Sequence, residues 1–148
     1  PEVTVDDFIV DAMMAHVVRA PDRFDVIVTT NMFGDILSDL TAELSGSLGL
    51  GGSLNAGLHN AMGQAAHGSA PDIAGQDIAN PFSLITSAAM LLSWHAQRSG
   101  QQSYLHASRA IENAISACIA EGESTRDIGG ALGTQATGKA VVKRLQQP

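Results

Sequence analysis

Apolar residues recur at helical spacing over Val5–Ala20, where Phe8, Ile9, Ala12, Met13 and Val17 share one stripe. Asp6 and Asp7 fall in the first turn, where the helix dipole favours acids, and Pro21 supplies a stop. The pattern then changes. Phe24–Thr30 (FDVIVTT) is a short, β-branched run after a Pro-Asp-Arg turn, and it predicts a buried strand. Asn31–Gly34 reads as a turn. A helix is expected from about Asp35 to Leu44, with Ile36, Leu37, Leu40 and Leu44 as its apolar face.

Ser45–Gly63 carries six glycines and predicts an irregular connection. His67–Asn80 is a second polar loop. Asn80 followed by Pro81 is a strong helix start, and that helix is expected to reach about Arg98. A further helix is predicted over Ser103–Glu121, with Tyr104, Ser108, Ile111, Ile115 and Cys118 on one side and Gly122 as its stop. After a Thr125–Gly130 loop, Thr134 or Thr137 opens a last helix to Leu145. Strand, turn and helix in that order predict an α/β fold.

Composition narrows the function classes. The chain has 148 residues, the size of one domain or of a piece of a larger one. A formal net charge of -7 with scattered Lys and Arg argues against nucleic acid or an anionic membrane as partner. Cys118 is the sole cysteine, so an internal disulfide and a Cys-based metal site are excluded, and a reducing cytoplasm is the expected compartment. No apolar run approaches the roughly 20 residues of a membrane span. No signal peptide is visible. Pro1 stands directly before a structured pattern, from which we expect either that a Met was removed or that an upstream part is missing.

Two constellations could carry chemistry. Asp35 and Asp39 are four apart and share a helix face, where like charges repel slightly unless a divalent cation lies between them. Oxygen-only ligands suit Mg2+ or Mn2+. The plainer reading makes Asp35 a helix-start acid and Asp39 a residue on a solvated face. The second constellation is His67-Gly68-Ser69-Ala70-Pro71-Asp72, which has neither dinucleotide-fingerprint nor phosphate-loop spacing. Its small residues would let backbone amides approach a ligand closely. Asp72 could accept from a ribose diol and would repel a 2'-phosphate, which favours NAD over NADP. The plainer reading is a surface loop. Asp11 on its own reads as a surface acid, Arg126-Asp127 as a surface ion pair or a loop feature, and His16 and His95 as packing residues.

The run Thr29-Thr30-Asn31-Met32-Phe33-Gly34-Asp35-Ile36-Leu37-Ser38-Asp39 closely resembles the metal signature of the β-decarboxylating dehydrogenases, the isocitrate/isopropylmalate dehydrogenase family. His67–Pro81 (HGSAPDIAGQDIANP) is similar to that family's cofactor loop. Val10-Asp11-Ala12 and Thr125-Arg126-Asp127-Ile128-Gly129-Gly130 also fit, in family order. The resemblance implies the C-terminal portion of an α/β/α sandwich. Residues about 1–50 would form a metal-binding and dimer-interface portion, and about 51–148 an NAD-binding portion. It further implies Asp35 and Asp39 as ligands of Mg2+ or Mn2+, with Asp11 completing the site of a partner subunit in a homodimer. His67, Gly68, Ser69, Ala70, Asp72, Ile73 and Asn80 would surround the adenosine half of NAD.

The implied reaction is oxidation and decarboxylation of a 2-hydroxy dicarboxylic acid of the isopropylmalate, isocitrate or tartrate type. The catalytic Lys and Tyr and the substrate arginines of the family lie upstream of this chain, so the fragment alone is expected not to turn over. Three features depart from the family pattern: Gln64 replaces a usual Glu, Ala65 and Ala66 replace bulkier residues, and Gly51–Asn55 differs from typical isopropylmalate enzymes. An alternative is a non-catalytic or regulatory relative that acts as an association module. A standalone nucleotide-binding module is the third reading, and the sheet edge it would expose argues against it.

Overall fold

The computed structural model describes residues 2–146; Pro1, and with it the expectation attached to the chain start, lies outside them, as do Gln147 and Pro148. The longest apolar burial is organised by three helices: α3 (Phe82–Ser99), α4 (Gln102–Ala120) and α5 (Thr134–Leu145). Their shared core holds Phe82, Ala114, Ile115, Cys118, Ala140 and Val141, with Leu50, Ile85, Ile111 and Ile128 packed around it. Cys118 is fully buried on the α4 stripe, as its spacing predicts. Gly122 ends α4 at φ +70, and the Gly122 and Glu123 amides donate to the Ile119 and Cys118 carbonyls. Asn80 starts α3 through its side chain, Oδ1 accepting the Phe82 N–H at 2.9 Å, with Pro81 already in helical geometry.

A second, smaller core joins α1 (Val10–Arg19) to α2 (Asn31–Leu44) through Met13, Val17 and Leu37. Helix α1 begins at Val10 rather than Val5. Val3 and Val5 face solvent with no apolar surface beneath them, so a longer stripe would gain nothing from packing. Phe8 instead turns back edge-on to His16 and Phe24, which makes His16 a packing residue as expected. Helix α2 begins four residues earlier than the predicted Asp35. Asn31 and Gly34 look like turn residues, but Asn31 takes the first helical position, where the N–H needs no intrahelical partner, and Gly34 closes the first turn by donating to the Thr30 carbonyl at 2.8 Å.

The predicted strand at Phe24–Thr30 does not form. Among the described residues nothing pairs with this segment, and Val26 and Val28 are 81% and 91% exposed. β-Branched residues prefer a pleated, half-buried surface, and here no such surface exists for them. The sheet occurs instead where glycines suggested irregular chain. Strands β1 (Gly52–Ala56) and β2 (Ala61–Ala65) pair antiparallel, Gly52 opposite Ala65 and Leu54 opposite Gly63. Helices with this one hairpin still make an α/β chain. No described helix is long and apolar enough to cross a membrane.

The hairpin forms because α3 receives it. Ser83 and Ser87, both fully buried, face its backbone. Ser83 Oγ accepts from the Ala66 N–H at 3.1 Å and donates to the Gly51 carbonyl. Ser87 Oγ accepts from the Ser53 N–H at 3.0 Å and donates to the Gln64 carbonyl at 2.6 Å. The approach needs glycine: a Cβ on Gly63 would lie 2.8 Å from the Ser87 carbonyl oxygen. The far end is held by Arg98, which donates to the Gly57 and Leu58 carbonyls and lies over the Trp94 ring. Gly63→Ala is therefore expected to lower unfolding free energy by about 1–3 kcal/mol through overpacking. Urea unfolding of the native protein measures it, and an unchanged midpoint would contradict this docking.

Candidate functional site

The two acids singled out at i, i+4 lie on one face of α2, one turn apart, and both are exposed. With Ser38, Thr41, Ala42 and Ser45 they form one wall of a cleft of about 280 Å³. The opposite wall is the open end of the hairpin: Gly51, Gly52, Ser53, Gln64 and Ala66. The α2 hydroxyls are turned into their own helix, Ser38 donating to the Asp35 carbonyl, Thr41 to Ser38 and Ser45 to Thr41. The carboxylates of Asp35 and Asp39 form no ion pair among the described residues. An oxygen-only donor pair without a counter-charge, at the edge of a polar cleft, fits a hard divalent cation.

Asp11 is placed elsewhere. It lies exposed on α1, its Oδ1 accepts the Ala12 N–H at 2.7 Å, and it does not line the cleft. Among the described residues no three His, Cys, Asp or Glu side chains converge on one point. One chain thus brings together two of the three acids singled out in the sequence.

The glycine-containing loop starts at the cleft. Ala66 is in its wall and His67 is the next residue. His67 to Asp72 is exposed: the His67 Nδ1 lies 2.9 Å from the Gly68 carbonyl, Ala70 adopts φ +40, and Pro71–Ile73 forms a 3₁₀ turn that presents Asp72 to solvent. Ile73 is half-buried. Asn80, 8% exposed, closes the loop, and its amide is already engaged at both ends.

Asp127 is the residue that sequence reasoning undervalued. It is not half of a surface ion pair. Its Oδ2 accepts from Ser47 Oγ at 2.6 Å and from Asn80 Nδ2 at 2.9 Å, and its Oδ1 accepts from Thr125 Oγ1 at 2.5 Å. Partial burial alone would push this carboxyl up, but the donors Ser47, Thr125 and Asn80, with a backbone bond, outweigh it and hold the group below its ordinary value. One carboxylate thus ties the exit of α2, the base of the 67–80 loop and the 3₁₀ turn at Arg126–Ile128 into one junction. Three separate polar residues in three loops give no periodic signal that could have announced it.

The family model described as isocitrate/isopropylmalate dehydrogenase matches residues 1–143. The chain belongs to the isocitrate/isopropylmalate dehydrogenase family. Among this family's members, the isocitrate/homoisocitrate dehydrogenase of Thermus thermophilus is 47% identical over 146 residues, which is 99% of this chain and 42% of that protein. The NADP isocitrate dehydrogenase of Rickettsia bellii is 46% identical over 153 residues, covering 99% of this chain and 30% of that one. The crystal structure of isocitrate dehydrogenase from Methylococcus capsulatus superposes with a TM-score of 0.85 at 44% identity, over 96% of this chain and 41% of the other. The chain therefore spans less than half the length of these family relatives, within an isocitrate/isopropylmalate dehydrogenase-like fold.

Asp127→Asn keeps the size of the side chain but replaces one acceptor by a donor that faces other donors. The expected cost is about 1–3 kcal/mol at neutral pH. The wild-type carboxyl titrates below its ordinary value when folded, so its contribution is present above the ordinary carboxylate range and is lost as pH falls through the folded value. The stability gap between wild type and variant should close on acidification. A gap that widens toward low pH in urea titrations would overturn the junction as drawn.

Proposed function

We propose that this chain is the metal- and dinucleotide-binding portion of an oxidoreductase that oxidises and decarboxylates a 2-hydroxy dicarboxylic acid with NAD. The observation that supports this most is the shared cleft: the Asp35–Asp39 pair faces the strand end from which the His67 loop departs. A cation-binding acid pair and a loop suited to a dinucleotide thus lie at one opening, where a hydride donor and acceptor must meet. On this reading residues about 1–50 supply metal ligands and a subunit contact, and residues about 51–148 supply the cofactor side.

Asp35 and Asp39 would hold Mg2+ or Mn2+, and their two negative oxygens set the local field of a cleft lined otherwise by neutral groups. A divalent cation bound there supplies Lewis-acid polarisation of the hydroxy acid's oxygen and of the carbonyl formed from it. Asp11, which does not line this cleft, would serve the equivalent cleft of a second copy, which would make the working unit a homodimer. His67, Gly68, Ser69, Ala70, Asp72, Ile73 and Asn80 would border the adenosine half of the cofactor. The small residues admit close approach, and the exposed Asp72 carboxylate accepts from a ribose diol while repelling a 2'-phosphate. Gln64 places a neutral amide, with one acceptor and two donors, on the cleft wall and adds no third charge beside the acid pair.

Nothing among the described residues of the cleft offers a cation for the substrate's carboxylates or an obvious proton shuttle. Catalysis by the complete polypeptide therefore draws its acid–base groups from elsewhere, and the 148-residue chain by itself is expected to be inactive. Asp35→Asn in the complete native polypeptide should lower kcat/KM at least about 100-fold, as loss of a ligand to a catalytic ion does, and should weaken Mn2+ binding in parallel. NAD reduction with Mn2+, assayed against isocitrate, isopropylmalate and tartrate, measures it. Full activity in that variant sinks the metal assignment. Wild-type protein that neither binds Mn2+ nor reduces NAD would favour a non-catalytic association subunit. Asp72→Lys should improve the use of NADP relative to NAD, and an unchanged ratio would remove Asp72 from the cofactor site.

A further inference from the structure

The 67–80 loop is divided in two by its own hydrogen bonding. From His67 to Gly75 the bonds recorded for it are local: His67 to Gly68, Ile73 to Ala70, Ala74 to Pro71. From Asp77 to Asn80 the partners are distant in sequence. The Asp77 carbonyl accepts the Thr134 N–H at 3.0 Å, Asp77 Oδ1 accepts the Gln135 N–H at 2.9 Å, and the Ala79 carbonyl accepts from Thr134 Oγ1 at 2.6 Å. Thr134 and Gln135 are the first two residues of α5, whose own preceding residue, Gly133, carries no side chain to cap them. Asp77 therefore caps α5 from another segment of the chain.

Two backbone features show that the contact is built for this acid. Asp77 sits at φ +55, a left-handed conformation that Asp and Asn tolerate far better than bulkier residues. Gly133 is the complement: a Cβ there would collide with the Asp77 carboxylate and lie 2.6 Å from its carbonyl oxygen. A carboxylate at a helix N-terminus also meets the positive end of the helix dipole. The site is thus filled by the chain itself and is not free for an external anion.

We propose that Asp77 is a positioning residue for the dinucleotide. It pins the C-terminal end of the 67–80 loop to α5, so that the loop meets a ligand with a fixed base and only the exposed His67–Gly75 lip left to adapt. The inference rests on the reading of this loop as the adenosine side of the site. A loop already fixed at one end loses less conformational freedom on binding, and that saving appears as affinity.

The test uses the complete native polypeptide and ADP-ribose, which carries the adenosine half without the nicotinamide. Asp77→Ala removes the acceptor and disfavours the left-handed backbone. Asp77→Asn keeps both an acceptor oxygen and that tolerance. Amide hydrogen exchange at Thr134 and Gln135, without ligand, should accelerate about tenfold in Asp77→Ala and less than about threefold in Asp77→Asn, the scale of losing a helix cap. The ADP-ribose dissociation constant should rise about tenfold in Asp77→Ala, with Mn2+ affinity unchanged and Asp77→Asn restoring most of the loss. Faster exchange with wild-type ADP-ribose affinity would make Asp77 a helix cap only and overturn the positioning role. Unchanged exchange would overturn the clamp. Wild-type protein that binds no ADP-ribose would overturn the dinucleotide reading, and the role with it, while the exchange result would still report on the clamp by itself.

Discussion

The hydroxyls of Ser83 and Ser87 occupy positions where a helix facing a sheet usually presents apolar side chains. They are fully buried, and each both accepts from and donates to the hairpin's backbone. Burying a hydroxyl without a partner costs on the order of a few kcal/mol, so these groups are tolerated only while the hairpin stays in register. The dependence runs both ways. The strands have weak intrinsic β preference, with glycines at Gly52 and Gly63 where large side chains would normally pack. What holds them is backbone contact with α3. The open end so fixed is the cleft wall opposite Asp35 and Asp39, and the strand that leaves it becomes the His67 loop.

How much of this could be read from the sequence depends on how local the cause is. The helices α3, α4 and α5 were legible to within a residue or two because their starts and stops are chemical: Asn80-Pro81, Gly122 and Thr134 act where they stand. Residues 24–30 read as a strand because they form a short run centred on Val26, Ile27 and Val28, with the β-branched density of a buried strand. Strand formation needs a second strand, though, and a single segment's composition says nothing about whether one is at hand. The hairpin was missed for the opposite reason. Its residues look like loop when taken alone, and only the serine face of α3, 17 to 34 positions later, makes them a sheet.

The candidate site divides in the same way. Asp35 and Asp39 were found by spacing, since an i, i+4 pair shares a face whatever surrounds it. The loop after β2 was visible through its small residues, and the resemblance in those two runs agrees with the family match. Asp127 was missed as a junction because its partners, Ser47, Asn80 and Thr125, come from three loops separated by up to 80 positions. Asp77 was missed because a cap supplied from a distant segment leaves no mark near the helix it caps. Polar contacts between loops are where single-sequence reading fails, and here they carry the base of the candidate cofactor site.

The two apolar clusters differ in size, and that difference has a thermodynamic consequence. The α3–α4–α5 core is assembled from elements adjacent in sequence, so it can form early and open last. The acid pair rides on α2, which is joined to α1 by a core of three buried residues with Val10, Met14 and Phe24 packed against it. That helix therefore has a smaller apolar reserve against local opening than the α3–α4–α5 group. A cation held by Asp35 and Asp39 as proposed would need the helix formed, and by mass action it would add its binding energy to the stability of that helix. On the metal reading proposed above, the same two acids would also make the folding of this half of the molecule respond to the supply of divalent metal.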